Sequence, residues 1–280
     1  MIRAPAVAAP IGWDDPDTAR YYARFNRRHG RYRSANRVLV EHATLGSGMR
    51  VLDVGAGVGG TAAATLGRLG RAGSVVCCEP AAAMRALGER MLHDRRVRWT
   101  GTWPGDVTGA VRPFDRILCG AAIWQLAPLD ATFRRMHALL RPGGCLCFNV
   151  PAAYLGEPDE PGGGGDPLLF SLPAALATEC PEVGREPASP VTGEDVIPDA
   201  AVVDELLASA GFRSGRWRFR ARLRQSAYRD WLKIPPTTDR LLLGLTADER
   251  ARRIDRAFRR VDPTSWRWEG WVGWTAWKPA

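Results

Sequence analysis

Lysine is almost missing from this chain. It occurs only at Lys233 and Lys278, so the formal net charge of +9 is carried nearly entirely by arginine. A basic balance raises the question of a nucleic-acid partner. The arginines are scattered, however, and alanine, glycine and proline are also abundant, as in any protein written by a GC-rich genome. The densest group, residues 213–224, alternates with apolar residues like one face of a strand. Nucleic acid is therefore not the expected partner. No run of about 18 apolar residues exists, which argues against a membrane span. Residues 1–10 are apolar but short, hold two prolines and lack a cationic start before an apolar core, so they do not read as a signal peptide. The six cysteines form no C-x-x-C, no metal-ligand spacing and no paired ladder. Cys77, Cys78, Cys119, Cys145 and Cys147 fall in predicted strands, where free cysteine acts as a small hydrophobe, and only Cys180 falls in a predicted loop. A reducing cytoplasm is the expected compartment.

What is present is organised around residues 50–60, RVLDVGAGVGG. Val51, Leu52 and Val54 predict a short buried strand. The glycines force a tight turn, and residues 61–68 have helix-forming composition. Strand, glycine turn and helix make the first half of a nucleotide-binding βαβ unit. Without Cβ atoms, Gly55, Gly57 and Gly59 let a ligand lie on the backbone. The stretch satisfies G-x-G-x-x-G through Gly55, Gly57 and Gly60, which alone is weak evidence for a dinucleotide. Asp53 shifts the reading. A carboxylate two residues before the first glycine suits a ligand with a cation there and disfavours a pyrophosphate. S-adenosylmethionine offers an ammonium and a sulfonium, and no phosphate. Asp53, Gly55, Ala56, Gly57 and Gly59 together resemble motif I of the class I S-adenosylmethionine-dependent methyltransferases.

Later segments extend the resemblance in order. Residues 74–78 predict a second strand ending at Glu79, twenty positions after Gly59. An acid at that distance can accept both ribose hydroxyls of a nucleoside. The resemblance adds Pro80 and Met84 to the cofactor site. After a third strand over 97–102, family members flank the adenine with an acid and a backbone N–H. This chain has Thr102 and Trp103 there, with the indole available for stacking, and its nearest acid, Asp106, stands three residues further on. A fourth strand over 114–120 ends at Gly120 and Ala121. Trp124 then occupies a position where an aromatic ring or histidine points toward the methyl group. The Asp/Asn-Pro-Pro-aromatic signature of amino-methylating DNA enzymes is absent, which argues against an exocyclic base nitrogen as acceptor. A helix over 131–140, the turn 141–144 and a fifth strand over 145–150 complete the similarity, which spans residues 49–150.

The domain reading has two parts. Residues 1–45 form an N-terminal arm and cap helices, with Asp14 or Asp15 capping a helix that begins at Pro16, and Gly30 interrupting two helices. Residues 46–280 form the methyltransferase domain, with lid insertions at 151–198 and 225–265. Residues 198–211 predict a helix, 212–223 a sixth strand and 266–277 the last strand. Two or three helices are expected within 225–265, one opened by a capping box at Thr246 and Glu249. The tryptophans at 268, 271, 274 and 277 do not keep one face of a strand and read as mixed core and edge packing.

The expected fold is α/β: a Rossmann-like seven-stranded sheet, mostly parallel with an antiparallel last strand, under a helical cap. The expected activity is methyl transfer from S-adenosylmethionine to a small organic acceptor of specialised metabolism, leaving S-adenosylhomocysteine. Orientation of donor and acceptor can supply about 7–11 kcal/mol of barrier reduction. Tyr22 and Trp124 are the candidate acceptor-pocket residues. His29, in the cap, is the candidate general base, because an imidazole titrates near neutral pH. No metal site is expected. Cyclisation or rearrangement with the cofactor as a structural element is the alternative, and an RNA methyltransferase or a non-catalytic binding protein the lesser ones.

Overall fold

The computed structural model describes residues 12–106, 112–157, 170–179, 199–238, 242 and 245–280. The expected loose arm and most of the first insertion lie outside them. Two helices come first. Helix α1 (Pro16–Arg28) starts where Asp15 accepts from the Asp17 and Thr18 amides and proline fills the first position. Gly30 then breaks the chain before α2 (Arg31–His42).

Next come β1 (Arg50–Val54), α3 (Gly60–Leu69), β2 (Ser74–Cys78), α4 (Ala82–Met91) and β3 (Val97–Thr100). These are followed by β4 (Phe114–Gly120), α5 (Leu129–Leu139) and β5 (Leu140–Pro151). The remainder is α6 (Leu172–Glu179), α7 (Ala200–Ser209), β6 (Arg213–Arg224), α8 (Gln225–Leu232), α9 (Ala247–Ala257) and β7 (Trp266–Trp277). The strands form one sheet in the order β3-β2-β1-β4-β5-β7-β6. Strand β7 runs antiparallel to both neighbours, and the pairings among β1 to β5 are parallel.

One boundary differs from expectation. Residues 141–144 are a bulge inside β5 and not a separate turn, because the β4 register jumps from Phe114 opposite Leu140 to Arg116 opposite Cys145. Of the helices expected within 225–265, α8 and α9 are present and the capping box at Thr246 opens α9, while residues 239–241 and 243–244 lie outside the described ones.

The core has two parts relevant to function. The sheet is buried on both faces, with Leu52, Ile117, Phe148 and Trp274 at its centre. A separate apolar cluster unites distant chain segments: Phe25 of α1, Leu172 of α6, Leu232 of α8, Ile254 of α9 and Leu223 of β6. That cluster is the cap. The β7 indoles alternate: Trp274 faces the α5–α7 side, Trp271 the cap side, and Trp277 is exposed at the end.

Candidate active site

Open α/β sheets bind ligands beyond the carboxyl ends of their strands, and the functional residues gather there. Strand β1 delivers Asp53 to that edge, in register with Cys77 and Leu118. It is 1% exposed, and neither carboxylate oxygen has a hydrogen-bond partner among the described residues. Burial pushes its carboxyl up to about 8; the nearby Ala62 amide opposes the shift and the Glu79 carboxylate adds to it. A buried acid without a partner is costly unless a cation arrives. The residues therefore fit a ligand with an ammonium or sulfonium.

The glycine turn is built for backbone contact. Gly55, Gly57 and Gly59 all have positive φ, and a Cβ on Gly55 would lie 2.6 Å from the Ala122 methyl. The turn is fastened to β2: the Gly55 amide donates to the Cys78 carbonyl at 2.9 Å. Glu79 closes it from below, accepting from the Gly57 amide at 2.7 Å and the Ala81 amide at 2.9 Å. Burial raises the Glu79 carboxyl, and these two amides oppose that. Each oxygen keeps a further lone pair for a diol.

At the end of β4, space is equally tight. A Cβ on Gly120 would fall 2.6 Å from Thr61 Oγ1 and 2.8 Å from Asn36 Oδ1. Ala121 holds a left-handed φ of 54°. Its amide donates to both the backbone oxygen and Oδ1 of Asn149 at 3.1 Å. Asn149 in turn donates to the Ala35 carbonyl at 3.1 Å, so one fully buried amide joins β5, the β4 end and α2. Sequence reasoning missed it; the signal was a lone asparagine in the apolar run CLCFNV.

A cavity of about 420 Å³ lies over this turn. Gly55, Ala56, Gly59 and Gly120 line it from the sheet, and Tyr22, Asn26, Tyr32 and Asn36 line it from α1 and α2. Tyr22 sits directly on the turn, since a Cβ at Gly57 would be 3.5 Å from its ring and 3.6 Å from Met84. Met84 is buried with Val58 and Ala81 against Ala19 and Ala23 of α1, and Pro80 precedes them on the same connection.

Other expected residues are placed elsewhere. Trp103 does not offer its ring to a ligand: it is 4% exposed, belongs to the sheet core and carries the Arg135 guanidinium 5.1 Å over its face. The Thr102 amide is turned to Thr100 Oγ1 at 3.2 Å. Trp124 does not line the cavity; its indole N–H donates to the Ala121 carbonyl at 2.9 Å and its ring stacks on Tyr154. His29 does not line it either. Its Nε2 lies 2.9 Å from Asp230 on α8. Burial alone would raise Asp230, but His29, Lys233 and Arg28 hold it well below the usual carboxylate range.

The glycine turn, the two acids at the ends of β1 and β2 and the strand order define the class I methyltransferase architecture. Residues 52–146 match the model of a family described as a methyltransferase domain. That stretch is thus similar to a methyltransferase domain, and it lies in a sheet with the class I methyltransferase strand order. Among solved structures, the YcgJ protein of Bacillus subtilis superposes with a TM-score of 0.54 at 12% identity, over 89% of this chain and 99% of that one. A putative methyltransferase of Bacillus halodurans gives a TM-score of 0.54 at 14% identity, over 88% and 100%. A structure of the Haloferax volcanii Trm112 methyltransferase activator in complex with a putative methyltransferase gives 0.54 at 12%, over 95% and 98%. No curated protein matches the chain by sequence.

Proposed function

We propose that the protein transfers the methyl group of S-adenosylmethionine to a small organic acceptor held under the cap. The observation carrying this reading is the 420 Å³ cavity, which opens on the glycine turn and is walled by α1 and α2. Its size suits small ligands. The cofactor supplies an electrophilic methyl group on a sulfonium. Asp53 would face its cationic end, Glu79 its ribose, and the backbone at Gly55 to Gly59 its length. Asn36, Thr61 and Gly120 would border the amino-acid end.

The chain's own contribution is alignment and exclusion of water. Burial raises the phenols of both Tyr22 and Tyr32. They stay protonated at neutral pH and serve as hydrogen-bond donors to the acceptor, not as bases. With His29 bonded to Asp230, the acceptor best suited to this cavity is one that needs little help in losing a proton.

Calorimetry with S-adenosylhomocysteine and with NAD tests the cofactor, with heat expected from the first alone. Incubation with S-adenosylmethionine and pooled small-molecule acceptors tests the reaction: S-adenosylhomocysteine should accumulate in step with a product heavier by one methylene. Product formed without S-adenosylhomocysteine would move the protein to cyclisation or rearrangement.

A further inference from the structure

A nucleoside whose ribose meets Glu79 extends its base outward over the carboxyl ends of β2 and β3. An arginine stands there. Arg85, on the first turn of α4, donates through Nη1 to the Glu79 carbonyl at 2.7 Å and the Pro80 carbonyl at 3.3 Å. Its guanidinium lies against Gly101, just past β3: a Cβ there would meet Nη1 at 2.7 Å and Cζ at 3.0 Å. Glycine at 101 makes room for that group. Nε and Nη2 of Arg85 have no partner among the described residues.

Among the described residues just past β3, no carboxylate is left unpaired, and Asp14, which reaches the start of α4, accepts from the Ala83 amide at 3.1 Å. Between Gly101 and Phe114 the only acid is Asp106, and it is ion-paired with Arg135 above Trp103. The neighbouring Thr102 amide is spent on Thr100. A base at this edge therefore meets donors: arginine has five N–H groups and no acceptor. An exocyclic amine, itself a donor, finds no carboxylate to receive it. A carbonyl at the same ring position finds a guanidinium. Stacking on the guanidinium plane favours neither.

We propose that Arg85 reads the purine of the cofactor in place of an acid, so that the site accepts a 6-oxo purine as readily as adenine; this rests on the cofactor reading above. The test is calorimetry on the full chain with S-adenosylhomocysteine and its deaminated analogue, S-inosylhomocysteine. Wild type should bind the two within about threefold of one another, and Arg85→Met should weaken the inosine ligand about tenfold while changing the adenosine ligand far less. Arg85→Lys keeps the charge and a bond to the β2 carbonyls but loses the planar fork, so it guards against a misfolded methionine variant and should show the same split in smaller measure. Rejection of the inosine ligand by about a hundredfold or more in wild type would overturn the proposal. So would an equal loss for both ligands in the variants, which would make Arg85 only a buttress between β2 and β3. Binding of neither ligand by wild type would overturn the cofactor reading itself.

Discussion

Asp53 lies at the carboxyl end of β1 in a buried position, and what that costs is set by its surroundings in the fold. An acid before a glycine turn suits a cation, and among the described residues neither oxygen of Asp53 has a hydrogen-bond partner. Its folded carboxyl, at about 8, binds a proton that the unfolded chain gives up above pH of about 4. The free protein should therefore lose stability as pH rises from about 4 toward 8. A ligand cation favours the ionised form, so binding expels a proton below pH 8. Affinity for S-adenosylhomocysteine should rise between pH 6 and 8 and level off above, as titrations in buffers of different ionisation enthalpy would register. Asp53→Asn should flatten that profile, weaken binding about tenfold or more and, above a pH of about 8, leave thermal stability equal or higher, since it removes a group whose ionised form is penalised by burial. A steep profile surviving in the variant would sink the assignment. Gly57→Val tests the turn. With φ of +55° and Tyr22 at 3.5 Å from the new Cβ, it should cost about 1–3 kcal/mol of stability in denaturant unfolding and abolish the binding heat. Trp103, Asn149 and Arg85 were not legible in the same way. Their roles depend on which direction a side chain takes after a strand ends, and no periodicity encodes that.

Among the elements, the helices with local punctuation were the readable ones. Asp15 and Pro16 open α1, Gly30 parts α1 from α2, and Thr246 with Glu249 opens α9, all from interactions within four residues. What locks α2 in place was invisible. Arg31, its first residue, donates through Nε to both oxygens of Glu269 on β7 at 3.0 Å, and Trp271 donates to the same carboxylate at 3.0 Å. The guanidinium also lies 4.8 Å from the Trp231 ring centroid. Burial alone would lower the arginine, but the Glu269 charge overrides it and raises it. In the sequence these are two solvated charges 238 residues apart. In the fold they are a bolt between the cap and the sheet. Glu269→Ala leaves Arg31 buried without a counterion and should cost about 3–5 kcal/mol in urea unfolding. The double replacement Arg31→Met with Glu269→Leu should recover most of that loss. A single-variant cost under about 1 kcal/mol would mean the pair is solvated.

At the scale of the whole molecule, the sheet and the cap differ in how each is written into the chain. Helical crossovers join β1 to β2, β2 to β3 and β4 to β5, each pair adjacent in the sheet, while the β3–β4 connection returns to the other side of β1, and the apolar runs of 4–8 residues name the strands. The cap draws on α1, α6, α8 and α9, which become one apolar cluster only after the sheet has brought them together. No local pattern states that Phe25 will meet Ile254. The consequence is a molecule with two cores of unequal independence: the sheet buries its own contacts, while α1 and α2 wall the cavity over the glycine turn through Tyr22 and Asn26 and through Tyr32 and Asn36. On the proposed cofactor placement, entry and release each require Tyr22 to move off the glycine turn. Hydrogen exchange with and without S-adenosylhomocysteine reads that coupling. At ligand about 100-fold above Kd, amides of α1 and α2 that open only with release should slow by up to about a hundredfold. Amides of the buried strands β4 and β5 should slow only as overall stability rises, and α9 should follow the cap. If α1 and α2 exchange at the same rate in both states, the two helices do not close over the cofactor, and the cavity beneath them belongs to a different ligand.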